Sequence, residues 1–232
     1  MPDTHFFLIA CLAATFVGLS KGGLPAIGML GVPTLSLLIS PVRAATLLLP
    51  IYVLSDMVGI WLYRREYSSI NLKILIPAGV LGVLLGWSTA SYLSDRAIGL
   101  LIGGVGIGFC LNAWLRHASV GEPQPARLGR GLFWGALAGF TSFISHSGAP
   151  PFQVYVLPQR LSKTVFAGTS TMVFAAINAA KIIPYQQLRP YSLTDLSTAA
   201  WLIPAALIGT VAGAWLTRRL PEPHQVAEIR LA

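Results

Sequence analysis

Three charged residues stand among apolar neighbours, and they are the first candidates for chemistry. Lys21 follows the apolar run 5–20, whereas Asp56 and Lys181 lie inside long apolar stretches. A charged side chain in apolar surroundings is costly unless it is paired or faces water. These three residues therefore predict a buried polar site that binds an ion or relays a proton.

Two roles are open to Lys21, which is followed by Gly22 and Gly23. An ammonium beside two flexible glycines, whose N–H groups can turn toward a ligand, makes a seat for an anion. Alternatively, Lys21 ends a short helix at a membrane surface and extends its ammonium to lipid headgroups. Asp56 either neutralises a lysine or relays a proton.

Lys181 and Asn178 lie one helical turn apart, deep in the stretch 162–185. Lys181 either faces a binding site together with Asn178 or extends toward the outer surface. A hydroxyl cluster lies earlier on the same stretch: Thr169, Ser170 and Thr171. Those hydroxyls either contact a ligand or bond back to their own helix, and a close helix crossing is a further explanation.

His146 precedes Ser147 and Gly148 at a break in the apolar pattern. A histidine that binds an anion when protonated and releases it when neutral would couple the anion to protons, although such a residue also serves as a plain hydrogen-bonding group. The predicted binding residues are Lys21, Gly22, Gly23, His146, Ser147, Gly148, Thr169, Ser170, Asn178 and Lys181. Asp56 and His146 are the predicted groups for proton coupling or charge pairing.

The composition identifies the surroundings of these residues. Of 232 residues, 54% are hydrophobic and only 10% are charged, and the mean hydropathy is +0.68. Soluble proteins carry about 25% charged residues, because their surface must be solvated. The chain is therefore predicted to be an integral membrane protein. Its net charge of +8 lies in short blocks between apolar stretches, and no motif supports nucleic-acid binding.

Five stretches have the length of about 20 residues that a membrane-spanning helix needs: 42–63, 72–93, 97–115, 162–185 and 194–216. Two further apolar segments, 5–20 and 131–145, are shorter, and each runs into a segment broken by Gly and Pro, at 21–40 and 146–158. Backbone breaks at membrane depth are tolerated where protein covers them or where they line a wet cavity. An all-α membrane protein with two broken or re-entrant segments is the predicted fold.

The basic residues orient the spans. Ten lie in one set of loops and three in the other, which places the richer set in the cytoplasm. The stretch 42–63 then runs from outside to inside, and 162–185 runs the other way.

The two halves also resemble each other, since Gly18-Leu19-Ser20 parallels Gly139-Phe140-Thr141 and Arg43-Ala44-Ala45-Thr46 parallels Phe166-Ala167-Gly168-Thr169. These matches and the opposite orientations predict two inverted-topology repeats. The repeats are 1–115 and 131–232, joined by a cytoplasmic linker at 116–130. The second repeat lacks the final helix of the first, so we expect a truncated or unusually short C-terminus.

Three classes of function fit a membrane protein with such a site. A secondary transporter of a small anion, working by alternating access, explains the broken segments and the buried cations together. An intramembrane enzyme would use Ser145, His146 and Asp56, but no Gly-x-Ser-x-Gly or His-Glu-x-x-His motif occurs. A channel or scaffold is the third class. No Walker motif occurs, and no cofactor or metal is expected.

Longer motifs resemble one family. The segment from Gly139 through Ser145-His146-Ser147-Gly148 to Pro151, together with Lys163 to Thr169, resembles the second-half signature of the TauE/SafE family of bacterial membrane transporters. Gly18 to Gly23 and Tyr63-Arg64-Arg65 are similar to its first-half elements. The resemblance covers nearly the whole chain. It implies a two-repeat permease that exports sulfite or an organosulfonate across the bacterial inner membrane. The chain departs from the family at Gly148-Ala149, where a Gly pair is usual, and at the missing final helix.

The partners expected from this resemblance and from the composition are a small anionic substrate and the lipid bilayer. Transporters of this length often pair, so a homodimer is the expected assembly.

Overall fold

The computed structural model describes residues 4–90, 92, 94–115 and 122–220, and over those residues the chain is helical with no strand. The α-helices, in chain order, are α1 (Thr4–Lys21), α2 (Gly31–Ser36), α3 (Pro41–Tyr63), α4 (Ser69–Ala90), α5 (Asp95–Leu115), α6 (Leu128–Ser145), α7 (Ala149–Val156), α8 (Lys163–Leu188) and α9 (Leu193–Arg219). Two 3-10 segments, Pro25–Leu30 and Leu157–Gln159, adjoin α2 and α7. The start of the predicted linker, 116–121, and the region of the expected truncation, 221–232, lie outside the described residues.

Within the described residues, five helices are long and apolar enough to cross a membrane: α1, α3, α4, α8 and α9. The sequence analysis was wrong to set the first segment aside as short, because α1 has 18 residues and so spans about 27 Å at 1.5 Å per residue. The stretch 97–115 is helical within α5.

Serine residues set the start of three of these helices. Ser40 and Ser162 each accept a hydrogen bond from the backbone N–H three residues later, at 3.4 Å. Ser192 accepts one from Asp195 N at 3.0 Å and donates its own hydroxyl to the Asp195 carboxylate at 2.7 Å. Such caps satisfy N–H groups that the first turn of a helix leaves free.

The helices pack in pairs that join the two halves of the chain. α1 lies against α9, α4 lies against α6, and α3 lies against α8 at the centre. Glycines allow the closest of these approaches. A Cβ on Gly18 of α1 would lie 1.9 Å from the Ala206 carbonyl oxygen, and a Cβ on Gly139 of α6 would lie 1.9 Å from the Gly79 carbonyl oxygen. Neither position accepts a larger residue unless its partner helix moves.

The partner helices α4 and α9 share a sequence pattern that the sequence analysis missed. Leu75-Ile76-Pro77-Ala78 of α4 matches Leu202-Ile203-Pro204-Ala205 of α9. Two glycines follow at the same spacings, Gly82 and Gly86 in α4 and Gly209 and Gly213 in α9. The carbonyls that meet Gly18 and Gly139 belong to matching positions of this pattern, two residues after each proline.

Two breaks in the helices meet near the α3–α8 contact. After α1 the chain turns at Gly23, which has a φ of 112°. After α6 it turns at His146, which has a φ of 56° and caps the helix by donating its backbone N–H to Ser142 O at 2.9 Å. Histidine is among the few non-glycine residues enriched in this left-handed conformation. The residues around these breaks and along α3 and α8 form the site described next.

Candidate functional site

A buried ion pair forms the centre of the site. The Lys21 ammonium at the end of α1 lies 2.8 Å from Oδ1 of Asp56 in α3. Both side chains are almost fully buried, at 5% and 4% exposure. Oδ1 has no donor in hydrogen-bond alignment, so the contact is ionic with a poor angle. A charge buried this deeply is costly alone, and each of these two residues neutralises the other.

Asn178 of α8 completes the pairing of Asp56. Its Nδ2 donates to Oδ2 of Asp56 at 2.7 Å, across the α3–α8 contact. Two aromatic rings, one on α3 and one on α8, flank the Lys21 ammonium. The Lys21 ammonium lies 5.0 Å from the centre of the Tyr52 ring and 5.5 Å from that of Phe174, within the range of a cation–π contact. Lys21 is therefore held by one carboxylate and two ring faces.

Lys181 belongs to a second, neighbouring group. Its ammonium donates to Ser142 O and Ser142 Oγ, both at 2.9 Å, and contacts Nδ1 of His146 at 2.8 Å. Nε2 of His146 lies 3.0 Å from the Ala45 carbonyl, which can only accept. These partners assign the proton to Nε2, and Nδ1 then accepts from Lys181. Lys181 thus uses all three of its N–H donors on the protein.

A small cavity adjoins these groups. Its volume is about 20 Å³, which is enough for roughly one water molecule. The cavity lies between both breaks and the two central helices, and its polar lining residues are Ser20, Lys21, Tyr52, Ser142, His146, Ser170, Thr171 and Asn178. Thr171 also donates to the Lys21 carbonyl at 3.2 Å. The cavity is too small for an oxyanion, so the conformation is closed around its polar centre.

Six of the predicted residues come together here: Lys21, Asp56, His146, Ser170, Asn178 and Lys181. Gly22 and Gly23 do not face the cavity, because their N–H groups are bonded to Gly18 O and Ser20 O of α1. Gly22 packs instead against α9.

The remaining predicted residues lie beside the cavity rather than on it. Ser147 donates its hydroxyl to Ser145 O at 3.3 Å. Gly148 caps the start of α7, and a Cβ on it would lie 2.6 Å from the Ala138 carbonyl oxygen of α6. Thr169 donates to Val165 O at 2.6 Å and accepts from Ser68 N at 2.9 Å. These contacts fix the turn after α6 and the position of α8.

The serine next to His146 makes no pair with it. Ser145 donates its hydroxyl to Thr141 O at 3.4 Å, and both ring nitrogens of His146 have other partners. A nucleophile needs a base within hydrogen-bond reach, and Ser145 has none in this arrangement. Among the described residues, no group of three or more His, Cys, Asp or Glu side chains could hold a metal ion.

The sequence analysis missed Tyr52, Phe174 and Ser142. A spacing signal was available for the first two, since Tyr52 lies one helical turn before Asp56 and Phe174 lies one turn before Asn178. No comparable signal marks Ser142, which reaches Lys181 where α6 packs against α8.

Two tyrosines close the region on opposite sides. Tyr63, at the end of α3, donates its hydroxyl to the Gly22 carbonyl at 2.7 Å. Tyr185, near the end of α8, donates its hydroxyl to the Phe143 carbonyl. Two ion pairs of exposed arginines lie further out on each side, Arg218 with Glu66 at 4.0 Å and Arg43 with the buried Asp195 at 3.7 Å. The two ion pairs join the halves of the chain, whereas each tyrosine bond lies within one half.

Comparison with known proteins identifies a family. A family model described as "Sulfite exporter TauE/SafE" matches residues 8–229. No curated protein and no solved structure matches the chain. The matched range includes both breaks, both central helices and every residue of the site.

Proposed function

The chain belongs to the sulfite exporter TauE/SafE family, and on that premise we propose that it is a secondary transporter that exports a small anion across the bacterial inner membrane. The family is one of membrane transporters of sulfur anions, and it is not an enzyme family. The proposed substrate is sulfite or an organosulfonate.

One observation carries the proposal. An almost fully buried lysine borders a polar cavity at the meeting point of two helix breaks, between helices long enough to span a membrane. A cation retained at such a position marks a substrate or ion path. We therefore propose Lys21 as the main anion ligand, with Ser170 and Asn178 beside it and with Lys181 and His146 supplying positive charge and shape. Gly22, Gly23, Ser147, Gly148 and Thr169 would shape the surrounding backbone.

The proposed architecture is a pair of inverted repeats, 1–115 and 131–232, joined by the linker 116–130. The shared pattern of α4 and α9 supports it, and so do the equivalent pairings of α1 with α9 and of α6 with α4. Tyr63 and Tyr185 add support, because each lies the same number of residues after its N-cap serine and each bonds the end of α1 or α6.

Alternating access is the proposed mechanism. One repeat would rock against the other about the α3–α8 contact, which would open the cavity to one side of the membrane and then to the other. Proton coupling is part of the proposal, with Asp56 and His146 as the groups that can carry a proton, and the outward gradient of the anion itself drives its export. The proposed assembly is a homodimer in the lipid bilayer. In its support, α5 packs sparsely on the rest of the described chain.

A flux screen in proteoliposomes tests the proposal. Purified protein is offered sulfite, sulfonates and small carboxylates, with and without a pH gradient, and saturable sulfite flux is expected. Lys21→Gln should reduce that flux at least about tenfold, since a charge-assisted hydrogen bond contributes about 1.5–3 kcal/mol. Lys73→Gln removes an exposed lysine of α4 and serves as the matched control. Liposomes that move no anion under any gradient would refute the transporter.

A further inference from the structure

We infer that the Lys21–Asp56 ion pair is the exchange element of transport. A monovalent oxyanion takes the place of the Asp56 carboxylate on the Lys21 ammonium, and Asp56 takes up one proton in the same step. This inference rests on the proposed transport function. It deepens that function in three respects. Asp56 rather than His146 carries the proton, one proton moves with each anion, and the substrate is monovalent.

Lys21 has donors to offer an anion. An ammonium carries three N–H donors. Among the described residues, its ionic partner is Oδ1 of Asp56, and its other close neighbours are the ring faces of Tyr52 and Phe174. Ring faces do not use a donor as an oxygen does, so an anion entering from the cavity can bind Lys21 without displacing another hydrogen bond.

Lys181 differs in this respect. Its three donors are already bonded to Ser142 O, Ser142 Oγ and His146 Nδ1. An anion would have to break one of these bonds to reach the ammonium. His146 is equally committed, since a proton added at Nδ1 would face the Lys181 ammonium at 2.8 Å and be repelled by it. Lys181 and His146 therefore hold a fixed positive charge behind the cavity.

Asp56 has one oxygen ready for a proton. Oδ2 accepts from Asn178 at 2.7 Å, whereas Oδ1 has no aligned donor and touches only the Lys21 charge. A proton placed on Oδ1 removes the charge that holds Lys21 and leaves the Asn178 bond intact. The neutral carboxyl then has no ionic hold on Lys21, which is free to pair with the incoming anion.

The other charged groups around α3 do not compete for this role. Lys21 of α1 and Lys181 of α8 act on Asp56 through their charges, and Tyr52 of its own helix is also in electrostatic reach. His146 follows α6 and is already paired. The charged residues of α9 lie at its two ends, those of α5 lie in its first turn, and α2 has none. Among the described residues, Asp56 is thus the acid at the level of the cavity.

Charge balance gives the stoichiometry. The empty site holds Lys21, Lys181 and ionised Asp56, a net charge of +1 with His146 neutral. The loaded site holds the two lysines, neutral Asp56 and one monovalent anion, again +1. The site therefore has the same net charge in the closed conformation whether it is empty or loaded. One proton therefore accompanies each monovalent anion, and the overall movement is electroneutral.

The test measures sulfite accumulation in proteoliposomes under a potassium diffusion potential, inside positive, with no pH gradient. Wild-type protein should not accumulate sulfite, because no net charge moves. Asp56→Asn carries the anion without a proton, so a potential of about 100 mV should drive about 50-fold accumulation. Asp195→Asn, the same change in the paired acid at the start of α9, should behave as wild type. A pH gradient alone should drive wild type and Asp195→Asn but not Asp56→Asn.

Each outcome separates the inference from the function. Voltage-driven accumulation by the wild type overturns the exchange while leaving the transporter intact, and so does pH-driven accumulation by Asp56→Asn. Should Asp56→Asn fail to elute as folded protein, the wild-type voltage measurement alone decides. Absence of sulfite flux in the wild type under both gradients overturns the proposed function and the inference together.

Discussion

Asp56 and Asn178 occupy matching positions of the two central helices, and the Asn178 amide donates to the Asp56 carboxylate at 2.7 Å. Each lies equally far along the chain from the serine that caps its helix, Ser40 for α3 and Ser162 for α8. One position is acidic and its counterpart is the neutral amide of nearly the same shape. The contact therefore joins the two halves while leaving a single negative charge for Lys21.

The Asn178 bond should stabilise the fold as well as the charge. Asn178→Leu leaves Oδ2 of a buried carboxylate without a donor, which costs about 1–3 kcal/mol. We expect a lower unfolding midpoint in detergent and a weaker dependence of flux on the proton gradient, because Asp56 would be protonated more readily. Thermal unfolding followed by tryptophan fluorescence measures the first effect. An unchanged midpoint would contradict the contact.

Glycine contacts between helix pairs give a second prediction. Gly18→Ala and Gly139→Ala each place a methyl group 1.9 Å from a backbone carbonyl of the partner helix. We expect each to destabilise the protein by about 1–3 kcal/mol or more, since backbone must move. Gly103→Ala is the matched control, because a Cβ there meets nothing within 4 Å. Equal unfolding midpoints for the three variants would show that α1–α9 and α4–α6 do not pack this closely.

Much of this arrangement follows from the sequence, and the rest depends on packing that sequence patterns do not encode. The apolar runs predicted the central helices to within a few residues, and the charged residues predicted a buried polar centre. The pairing of α1 with α9 was not foreseen, because it depends on which carbonyl a glycine meets. The match of Arg43-Ala44-Ala45-Thr46 with Phe166-Ala167-Gly168-Thr169 differs by one residue from the register of the capping serines. When the two halves are aligned on their capping serines, Asp56 and Asn178 occupy the same position.

The position of the anion seat also needed the structure. Gly22 and Gly23 looked available because glycine is flexible, but their N–H groups bond within the end of α1. The contact between Ser142 and Lys181 was not predicted for a related reason. Ser142 lies on a helix whose side chains give no spacing signal, and it reaches Lys181 through the packing of α6 against α8.

The hydrogen bonds of Tyr63 and Tyr185 should contribute differently to the stability of the fold. Tyr185 is the donor to the Phe143 carbonyl, whereas the Gly22 carbonyl accepts from both Tyr63 and Thr217, at 2.7 and 3.1 Å. Tyr185→Phe leaves a buried carbonyl unpaired and should cost about 1–3 kcal/mol, while Tyr63→Phe should cost about 0.5–1.5 kcal/mol. Paired unfolding measurements in one detergent test the order. A larger loss for Tyr63→Phe would contradict it.

Substitutions of His146 distinguish a structural role for this residue from a role as proton carrier. Its ring joins the Lys181 ammonium to the Ala45 carbonyl and stacks on Tyr52 with ring centres 4.4 Å apart. A glutamine side chain can also accept from one group and donate to the other, but it does not titrate. We therefore expect His146→Gln to transport sulfite more slowly while remaining driven by a pH gradient. In His146→Leu the leucine must adopt the same left-handed backbone conformation. This variant leaves one N–H donor of Lys181 without an acceptor and should lower the free energy of unfolding by about 1–3 kcal/mol.

The measurement is sulfite flux against an imposed pH gradient, with unfolding midpoints for both variants. Comparing glutamine with leucine removes the effect of the backbone conformation, since both residues pay a similar penalty there. If His146→Gln still moves sulfite but no longer responds to the gradient, His146 carries the proton and Asp56 is a fixed counterion. If it responds as the wild type does, the proton must be carried by the acid that faces Lys21.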